Sequence, residues 1–157
     1  MSKVVLVTGS NRGIGKATIE EFAKNGINVV INYCHHESEA LEFLDYIGDT
    51  YNVECMAVKC DVSDEDEVKL MIEEIVDRFG RIDVVVNNAG ICIDSVMEDK
   101  DASTFSKILG VNLIGTFLVS KYASKYMEKG SIVNISSTNG IDSYYPFRID
   151  YDASKAG

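Results

Sequence analysis

The sequence is short of basic residues, histidine, proline and tryptophan. It has 15 Lys and Arg against 25 Asp and Glu, and the net charge of −10 opposes binding to a nucleic-acid backbone. Its two histidines are adjacent, and its four cysteines form no Cys-x-x-Cys pair. We therefore expect no metal site, no disulfide, no nucleic-acid partner and a reducing, cytoplasmic environment.

Long apolar runs and linkers are also lacking. We find no stretch apolar and long enough to cross a bilayer, so we expect no membrane-spanning helix. A strand pattern begins at Val4, which leaves no room for a signal peptide. The 157 residues are 46% hydrophobic and 25% charged, which predicts one soluble domain over residues 1–157 with its own core.

Short apolar runs alternate with stretches of helical spacing. One predicted helix presents Ala40, Leu41, Leu44 and Ile47, and another is interrupted around Asn112. Strands that alternate with helices form right-handed βαβ units, so the pattern predicts an α/β fold with a doubly wound parallel sheet. The predicted strands are Val4–Val7, Asn28–Ile31, Val53–Val58, Asp83–Val86 and Ser131–Ile135.

A glycine turn follows the first predicted strand. Gly9, Gly13 and Gly15 are spaced Gly-x-x-x-Gly-x-Gly and lead into a helix. Backbone N–H groups in such a turn approach a pyrophosphate closely, and the helix N-terminus favours its negative charge. An ordinary strand–turn–helix with glycines for steric reasons has the same spacing, so the turn alone leaves both interpretations open.

Tyr151 and Lys155 are four residues apart near the end of the chain, so on a helix they share one face. An ammonium group favours the phenolate form of a neighbouring tyrosine. Such a pair suits proton transfer in carbonyl reduction or alcohol oxidation, with a cofactor ring to carry hydride. The alternative is an exposed contact at a frayed terminus.

Four motifs together carry a family resemblance along the whole chain. They are Thr8-Gly9-x-x-x-Gly13-Ile14-Gly15, Asn87-Asn88-Ala89-Gly90, Ile132-Val133-Asn134-Ile135-Ser136-Ser137 and Tyr151-x-x-x-Lys155. In order and spacing the chain resembles the N-terminal part of a short-chain dehydrogenase/reductase. The resemblance implies a Rossmann-like sheet of strand order 3-2-1-4-5, without the family's C-terminal strands.

The resemblance also implies residue roles. Tyr151 and Lys155 would exchange the proton, Ser137 would hydrogen-bond the substrate oxygen, and Asn112 would hold a water in a proton relay. Asn87 would tie strands together, and no metal ligand is implied. Cofactor contacts are implied for Gly9, Asn11, Arg12, Gly13, Ile14, Gly15, Asn32, Tyr33, Asp61, Val62, Asn88, Ala89, Gly90, Tyr151 and Lys155.

The end of the second strand distinguishes the two nicotinamide cofactors. NAD sites usually place a carboxylate there for the ribose 2′-hydroxyl. Here the segment 32–35 reads Asn-Tyr-Cys-His, and no acid precedes Glu37. Arg12, or a protonated His35, would suit a 2′-phosphate. We predict NADP(H) as the preferred cofactor, with NAD(H) possible.

Within the family, the sequence most resembles the 3-oxoacyl-[acyl-carrier-protein] reductases and the glucose/ribitol-type dehydrogenases. The first act on an acidic carrier, and an acidic protein needs a local basic patch to bind it. Lys121, Lys125 and Lys129 form one stripe on the long predicted helix, but Glu128 interrupts it, and such a stripe is also typical of a solvated helix face. Tyr144, Tyr145, Phe147 and Arg148 crowd the loop beside the predicted site. The full-length form of the family predicts a homo-oligomer, a dimer or tetramer.

The sequence stops two residues after Lys155, and this leaves two classes of hypothesis. Either these residues belong to a longer reductase that has the family activity, or they are a whole molecule. In the second case the predicted fifth strand would be an apolar sheet edge that favours self-association. The product would be a dinucleotide-binding fragment with little or no turnover, because a frayed terminus loses preorganisation.

Overall fold

The computed structural model describes residues 2–143 and 145–157, so Tyr144 of the aromatic loop lies outside the described residues. Five parallel strands form one sheet in the order β3-β2-β1-β4-β5, which confirms the predicted α/β fold and strand order. The strands are β1 Val4–Val7, β2 Asn28–Tyr33, β3 Cys55–Lys59, β4 Val84–Asn87 and β5 Ser131–Asn134.

Helices cover both faces of this sheet. On one face Leu6, Val30 and Val85 pack with apolar residues of two helices that follow β3 and β4, and on the other Val7 and Ile31 pack beneath the first two helices. The helices are α1 Gly13–Lys24, α2 Glu37–Thr50, α3 Glu65–Phe79, α4 Ala102–Leu109, α5 Gly115–Ala123 and α6 Ile149–Ala156. Both β1 and β2 are buried along their whole length, and strands covered on both faces account for the apolar runs Val4–Val7 and Val29–Ile31.

Helix α2 differs in detail from its predicted pattern, and helix α3 begins at a carboxylate cap. In α2 the buried residues are Ala40, Phe43 and Ile47, whereas Leu41 is 44% exposed, so the apolar face was predicted partly wrongly. In α3 the N-cap is Asp64, whose carboxylate accepts the amides of Asp66 and Glu67. A carboxylate at this position also complements the helix dipole.

The stretch from α4 to α5 is one continuous helix with a π-helical segment, Gly110–Ile114, at its centre. The interruption predicted around Asn112 is therefore a widened turn. By length and composition the 25 residues Ala102–Tyr126 are able to cross a membrane, which corrects our expectation that no such stretch exists. Leu118, Val119 and Ala123 of this helix pack in the core with α3, whereas Ile114 and Phe117 are 49% and 59% exposed.

β5 forms one edge of the sheet, and its Ile132 and Val133 are 40% and 46% exposed. Beyond β5, the chain forms an irregular segment before α6 begins at Ile149. A short 3₁₀ turn, Thr138–Gly140, lies between β5 and α6. The carboxyl ends of all five strands therefore meet at one edge of the sheet, where open α/β sheets bind ligands.

Candidate active site

The glycine turn is fastened to the end of β4 by hydrogen bonds. Thr8 Oγ1 accepts the backbone N–H groups of Asn88 and Ala89, each at 3.0 Å. The Asn88 side chain donates in return to the carbonyls of Thr8 and Gly9, at 2.9 and 3.0 Å. β1 and β4 lie on either side of the point where the strand order reverses, so these bonds shape the crevice itself.

The glycines of the turn meet different requirements. Gly9 and Gly13 both have φ of +58°, a conformation that side chains disfavour. A Cβ on Gly15 would lie 2.8 Å from Ser10 Cα and 2.9 Å from the Gly9 carbonyl. Only glycine fits at this position, because a side chain would clash with the backbone of the turn. At Gly13 a Cβ would meet nothing within 4 Å. The backbone is therefore open there, as a pyrophosphate cradle at a helix N-terminus requires.

Asn32 and Tyr33 lie beneath the turn, with exposures of 1% and 5%. Asn32 Oδ1 accepts the Gly9 N–H at 3.0 Å, and its Nδ2 donates to the Cys60 carbonyl at 3.2 Å. The Asn32 side chain thus joins the turn to β2 and to the end of β3. The structure gives it a supporting position, while Arg12 and Ile14 are the exposed side chains of the turn.

Asp61 and Val62 follow β3 at the same edge. The Asp61 carboxylate accepts both the N–H and the hydroxyl of Ser63, at 2.9 and 2.7 Å. Val62 is buried against Gly115 of α5, where a Cβ would lie 2.7 Å from Val62 Cγ2. Across the β1–β2 side of the crevice, Asn11 Nδ2 donates to the His35 carbonyl at 3.4 Å.

Tyr151 and Lys155 share one face of α6. Lys155 Nζ lies 5.8 Å from the centroid of the Tyr151 ring and donates to the Ile135 carbonyl at 2.7 Å. A Cβ on Gly90 would lie 3.8 Å from this nitrogen, so the loop after β4 reaches the same point. Burial of the ammonium group lowers the pKa of Lys155, which eases release of its proton.

Asn112 lies at the π-helical segment and is 5% exposed. Its Oδ1 accepts the Ile91 N–H at 2.8 Å, and its Nδ2 donates to the Ile91 carbonyl and to Ser154 Oγ, at 3.0 and 2.9 Å. The Asn112 side chain therefore connects the loop after β4 to α6. Its predicted place in a water relay stays a prediction.

Ser137 is the N-cap of the 3₁₀ turn, where its Oγ accepts the Asn139 N–H at 3.2 Å. The Asn139 side chain then donates to Asp152 Oδ1 at 2.8 Å, next to Tyr151. A Cβ on Gly140 would clash with the Lys155 carbonyl, so the turn packs directly on the α6 backbone. The serine loop and the tyrosine helix are thus held together.

The sequence patterns did not predict a buried ion pair that lies beside the site. Lys100 and Asp150 form an ion pair with side chains 4% and 0% exposed, and Lys100 Nζ lies 2.8 Å from Asp150 Oδ2. Lys100 lies in the acid-rich segment 98–101 and gives no motif. The position of Asp150, directly before Tyr151, was the one available indication. As predicted, Asn87 ties strands together, since its Nδ2 donates to Asn134 Oδ1 of β5 at 2.9 Å.

Fold and site together define a doubly wound α/β protein with a glycine cradle at the switch point of its sheet. Comparison with known proteins agrees. The family model described as short chain dehydrogenase matches residues 3–157. The chain therefore belongs to the short-chain dehydrogenase family.

Curated relatives carry two kinds of name. The chain is 40% identical to a 3-oxoacyl-[acyl-carrier-protein] reductase of Synechocystis sp., over 99% of this chain and 64% of that protein. It is 35% identical to glucose 1-dehydrogenase 2 of Bacillus subtilis, over 99% of this chain and 61% of that protein. A solved structure of a short-chain dehydrogenase/reductase from Serratia marcescens superposes on this chain with a TM-score of 0.93 at 28% identity. The superposition covers 98% of this chain and 63% of the Serratia chain. The chain thus spans under two thirds of the length of these relatives.

Proposed function

We propose that the intact protein is an NADP(H)-dependent oxidoreductase that interconverts a carbonyl and a secondary alcohol. Residues 1–157 would form its dinucleotide-binding domain, and its location would be cytoplasmic. The observation that carries the proposal is the position of Lys155 Nζ, between the Ile135 carbonyl and the Tyr151 ring at the carboxyl edge of the sheet. The open backbone at Gly13 suits a diphosphate at the same edge.

The chain's own side chains would handle the proton. Ser137 Oγ and the Tyr151 hydroxyl would both donate hydrogen bonds to the substrate carbonyl oxygen. During reduction Tyr151 would give its proton to that oxygen, and the Lys155 ammonium would stabilise the phenolate left behind. A bound nicotinamide would supply the hydride that reaches the carbonyl carbon. In the oxidation direction Tyr151 would take the hydroxyl proton back.

A 3-oxoacyl thioester on an acyl carrier is the substrate we favour, since relatives with that name match at 37–40% identity. A sugar or polyol is the second candidate, supported by the glucose dehydrogenase at 35%. On the basic stripe, Lys121 is bound to Glu65 at 3.0 Å, so its charge is partly neutralised, whereas Lys125 stacks on Tyr122. Comparison of kcat/KM on a 3-oxoacyl-carrier thioester and on glucose distinguishes the two.

The proton role is tested with Tyr151→Phe in the intact protein. We expect kcat for NADPH-dependent reduction of a 3-oxoacyl thioester to fall about 10²–10⁴-fold, the usual contribution of a positioned acid. NADPH binding, measured by fluorescence titration, should persist. Tyr126→Phe is the matched control, because Tyr126 is 41% exposed at the far end of the long helix. Full turnover in Tyr151→Phe would contradict the proposal.

A further inference from the structure

Two ion pairs join the loop that follows β4 to the start of α6, and they differ in burial. Arg148 and Asp94 form an exposed pair, with side chains 38% and 42% accessible. Lys100 and Asp150 form the buried pair, at 4% and 0%. Both pairs connect the same two segments, so the exposed pair is a natural reference for the buried one.

The buried pair is fully satisfied by its surroundings. An ammonium group has three donors, and Lys100 Nζ uses them on Asp150 Oδ1, Asp150 Oδ2 and the Ile93 carbonyl, at 2.9, 2.8 and 2.9 Å. Asp150 Oδ1 also accepts the backbone N–H of Tyr151 at 2.9 Å. The carboxylate thus lies in the first turn of α6, where free N–H groups and the helix dipole favour a negative charge.

Stability alone does not account for this arrangement. Desolvation offsets most of the attraction in a buried ion pair, and an apolar pair of similar volume often stabilises a fold as well. Hydrogen bonds differ from apolar contacts in being directional, because each fixes an angle as well as a distance. Here the fixed element is the turn that carries Tyr151. A second bond, from Asn112 Nδ2 to Ser154 Oγ, holds the next turn of α6.

We propose that Lys100 and Asp150 are positioning residues for Tyr151. Their ion pair sets the rotation of the first turn of α6, so that the phenol stays beside Lys155 and faces the crevice. This inference rests on the proposed oxidoreductase function, in which Tyr151 transfers the proton. Neither residue contacts the reacting atoms, and each acts through the backbone of Tyr151.

The decisive variant is the double replacement Lys100→Met/Asp150→Leu in the intact protein. It removes the pair as a unit and leaves no unpaired buried charge, so the fold should survive. We expect kcat per NADPH-binding site to fall about 10²-fold, the cost of a displacement near 1 Å at a reacting group. The KM for NADPH should not change. The exposed-pair variant Asp94→Asn should keep both values of the wild type.

If Lys100 and Asp150 only stabilised the fold, the double replacement would have a different effect. It would lower the fraction of protein that binds NADPH and leave kcat per binding site at the wild-type value, and that result would overturn the proposal. The single variant Lys100→Arg keeps the charge and the donors. Turnover of Lys100→Arg above that of Lys100→Met supports the role of the pair, and equal turnover of the two contradicts it.

A measurement without turnover separates this inference from the proposed function. In protein labelled with ¹³Cζ-tyrosine, the Tyr151 resonance is assigned by its loss in Tyr151→Phe. We expect one narrow line in the wild type and in Asp94→Asn, and a shifted or broadened line in Lys100→Met/Asp150→Leu. An unchanged line would overturn the positioning role. If the wild type turned over no carbonyl substrate, the proposed function would be overturned instead. The Tyr151 resonance would still test whether the Lys100–Asp150 pair positions Tyr151.

Discussion

Arg12 is exposed at the N-cap of α1, directly above the part of the turn that is open at Gly13. In the sequence, no acid stands between the last residue of β2, Tyr33, and Glu37. A guanidinium at this place suits a 2′-phosphate, because it donates several hydrogen bonds in a fixed geometry. This is the basis of our proposal that the cofactor is NADP(H).

We expect Arg12→Gln to raise the KM for NADPH about 10–100-fold, as loss of a charge-assisted hydrogen bond predicts. The KM for NADH should stay the same, since NADH lacks the phosphate. Lys24→Gln, at the other end of α1, is the control of equal charge change and should affect neither cofactor. Tighter binding of NADH than NADPH by the wild type would refute the cofactor proposal.

Asp83 shows how one buried carboxylate secures the sheet. It is 5% exposed just before β4, and its Oδ2 accepts the Val4 N–H at 2.9 Å. Burial by itself raises the pKa of Asp83, but hydrogen bonds from Arg81 and Val4 outweigh it and hold the pKa below the usual 3.8. The ionised carboxylate is therefore the form that stabilises the native state.

The sign of the pH dependence follows from this lowered pKa. The stabilisation is complete above pH 3.8 and is lost as the pH falls through the lower native value. We expect Asp83→Asn to reduce the free energy of unfolding by about 1–2 kcal/mol at pH 7. In the acid range the free energy of unfolding of this variant should depend less on pH than that of the wild type. Urea unfolding between acid and neutral pH measures both. The control Asp77→Asn, at an exposed position, should change the free energy of unfolding by less than about 0.5 kcal/mol. If Asp77→Asn lowered that free energy as much as Asp83→Asn does, our explanation would be contradicted.

At the scale of elements, the contact between α5 and the end of β3 shapes the side of the crevice that we propose binds the adenine. Gly115 opens α5, and a Cβ there would lie 2.7 Å from Val62 Cγ2 and 3.1 Å from the Val62 carbonyl. At Gly110, one segment earlier, the nearest atom to a Cβ would be Ser63 Cβ at an ordinary 3.5 Å. The two glycines thus form a matched pair within one continuous helix.

Gly115→Ala should destabilise the fold by about 1–3 kcal/mol, because the added methyl group overpacks the contact with Val62. NADPH affinity should fall as well if Val62 contacts the adenine. Gly110→Ala should be neutral or stabilise by up to about 1 kcal/mol, since alanine favours a helix. Urea unfolding measures both variants. Equal effects of the two substitutions would show that the contact with Val62 is unimportant.

The elements also show how far sequence patterns reach. The alternation of strands and helices, the glycine turn and the shared face of Tyr151 and Lys155 were predictable, because periodicity and motif spacing are local properties. Strand order is not local, and its prediction came from the family resemblance. The buried face of α2 was only partly predicted, since Leu41 and Phe43 are both apolar and tertiary packing decides which is covered. Lys100 was not predictable, because its partner Asp150 is 50 residues away along the chain.

For residues 1–157 taken together, the net charge of −10 and the exposed edge of β5 are the features to explain. An acidic protein needs a local basic surface to bind an acidic carrier. Glu65 partly neutralises Lys121, so we expect Lys125 and Lys129 to contribute more to carrier binding than Lys121. An apolar edge strand tends to pair with another chain. Turnover by a species whose intact mass equals the 157 residues would refute the hypothesis of an impaired, self-associating fragment.

Transfer of deuterium from the reduced cofactor tests the central claim most directly. The intact protein is given NADPH deuterated at the transferable position of the nicotinamide, together with a 3-oxoacyl thioester, and the product is analysed by mass spectrometry. We expect one deuterium on the new carbinol carbon, and incorporation about 10²–10⁴-fold slower when Tyr151→Phe replaces the wild type. Reduction without deuterium in the product, or equal incorporation by both proteins, would contradict it.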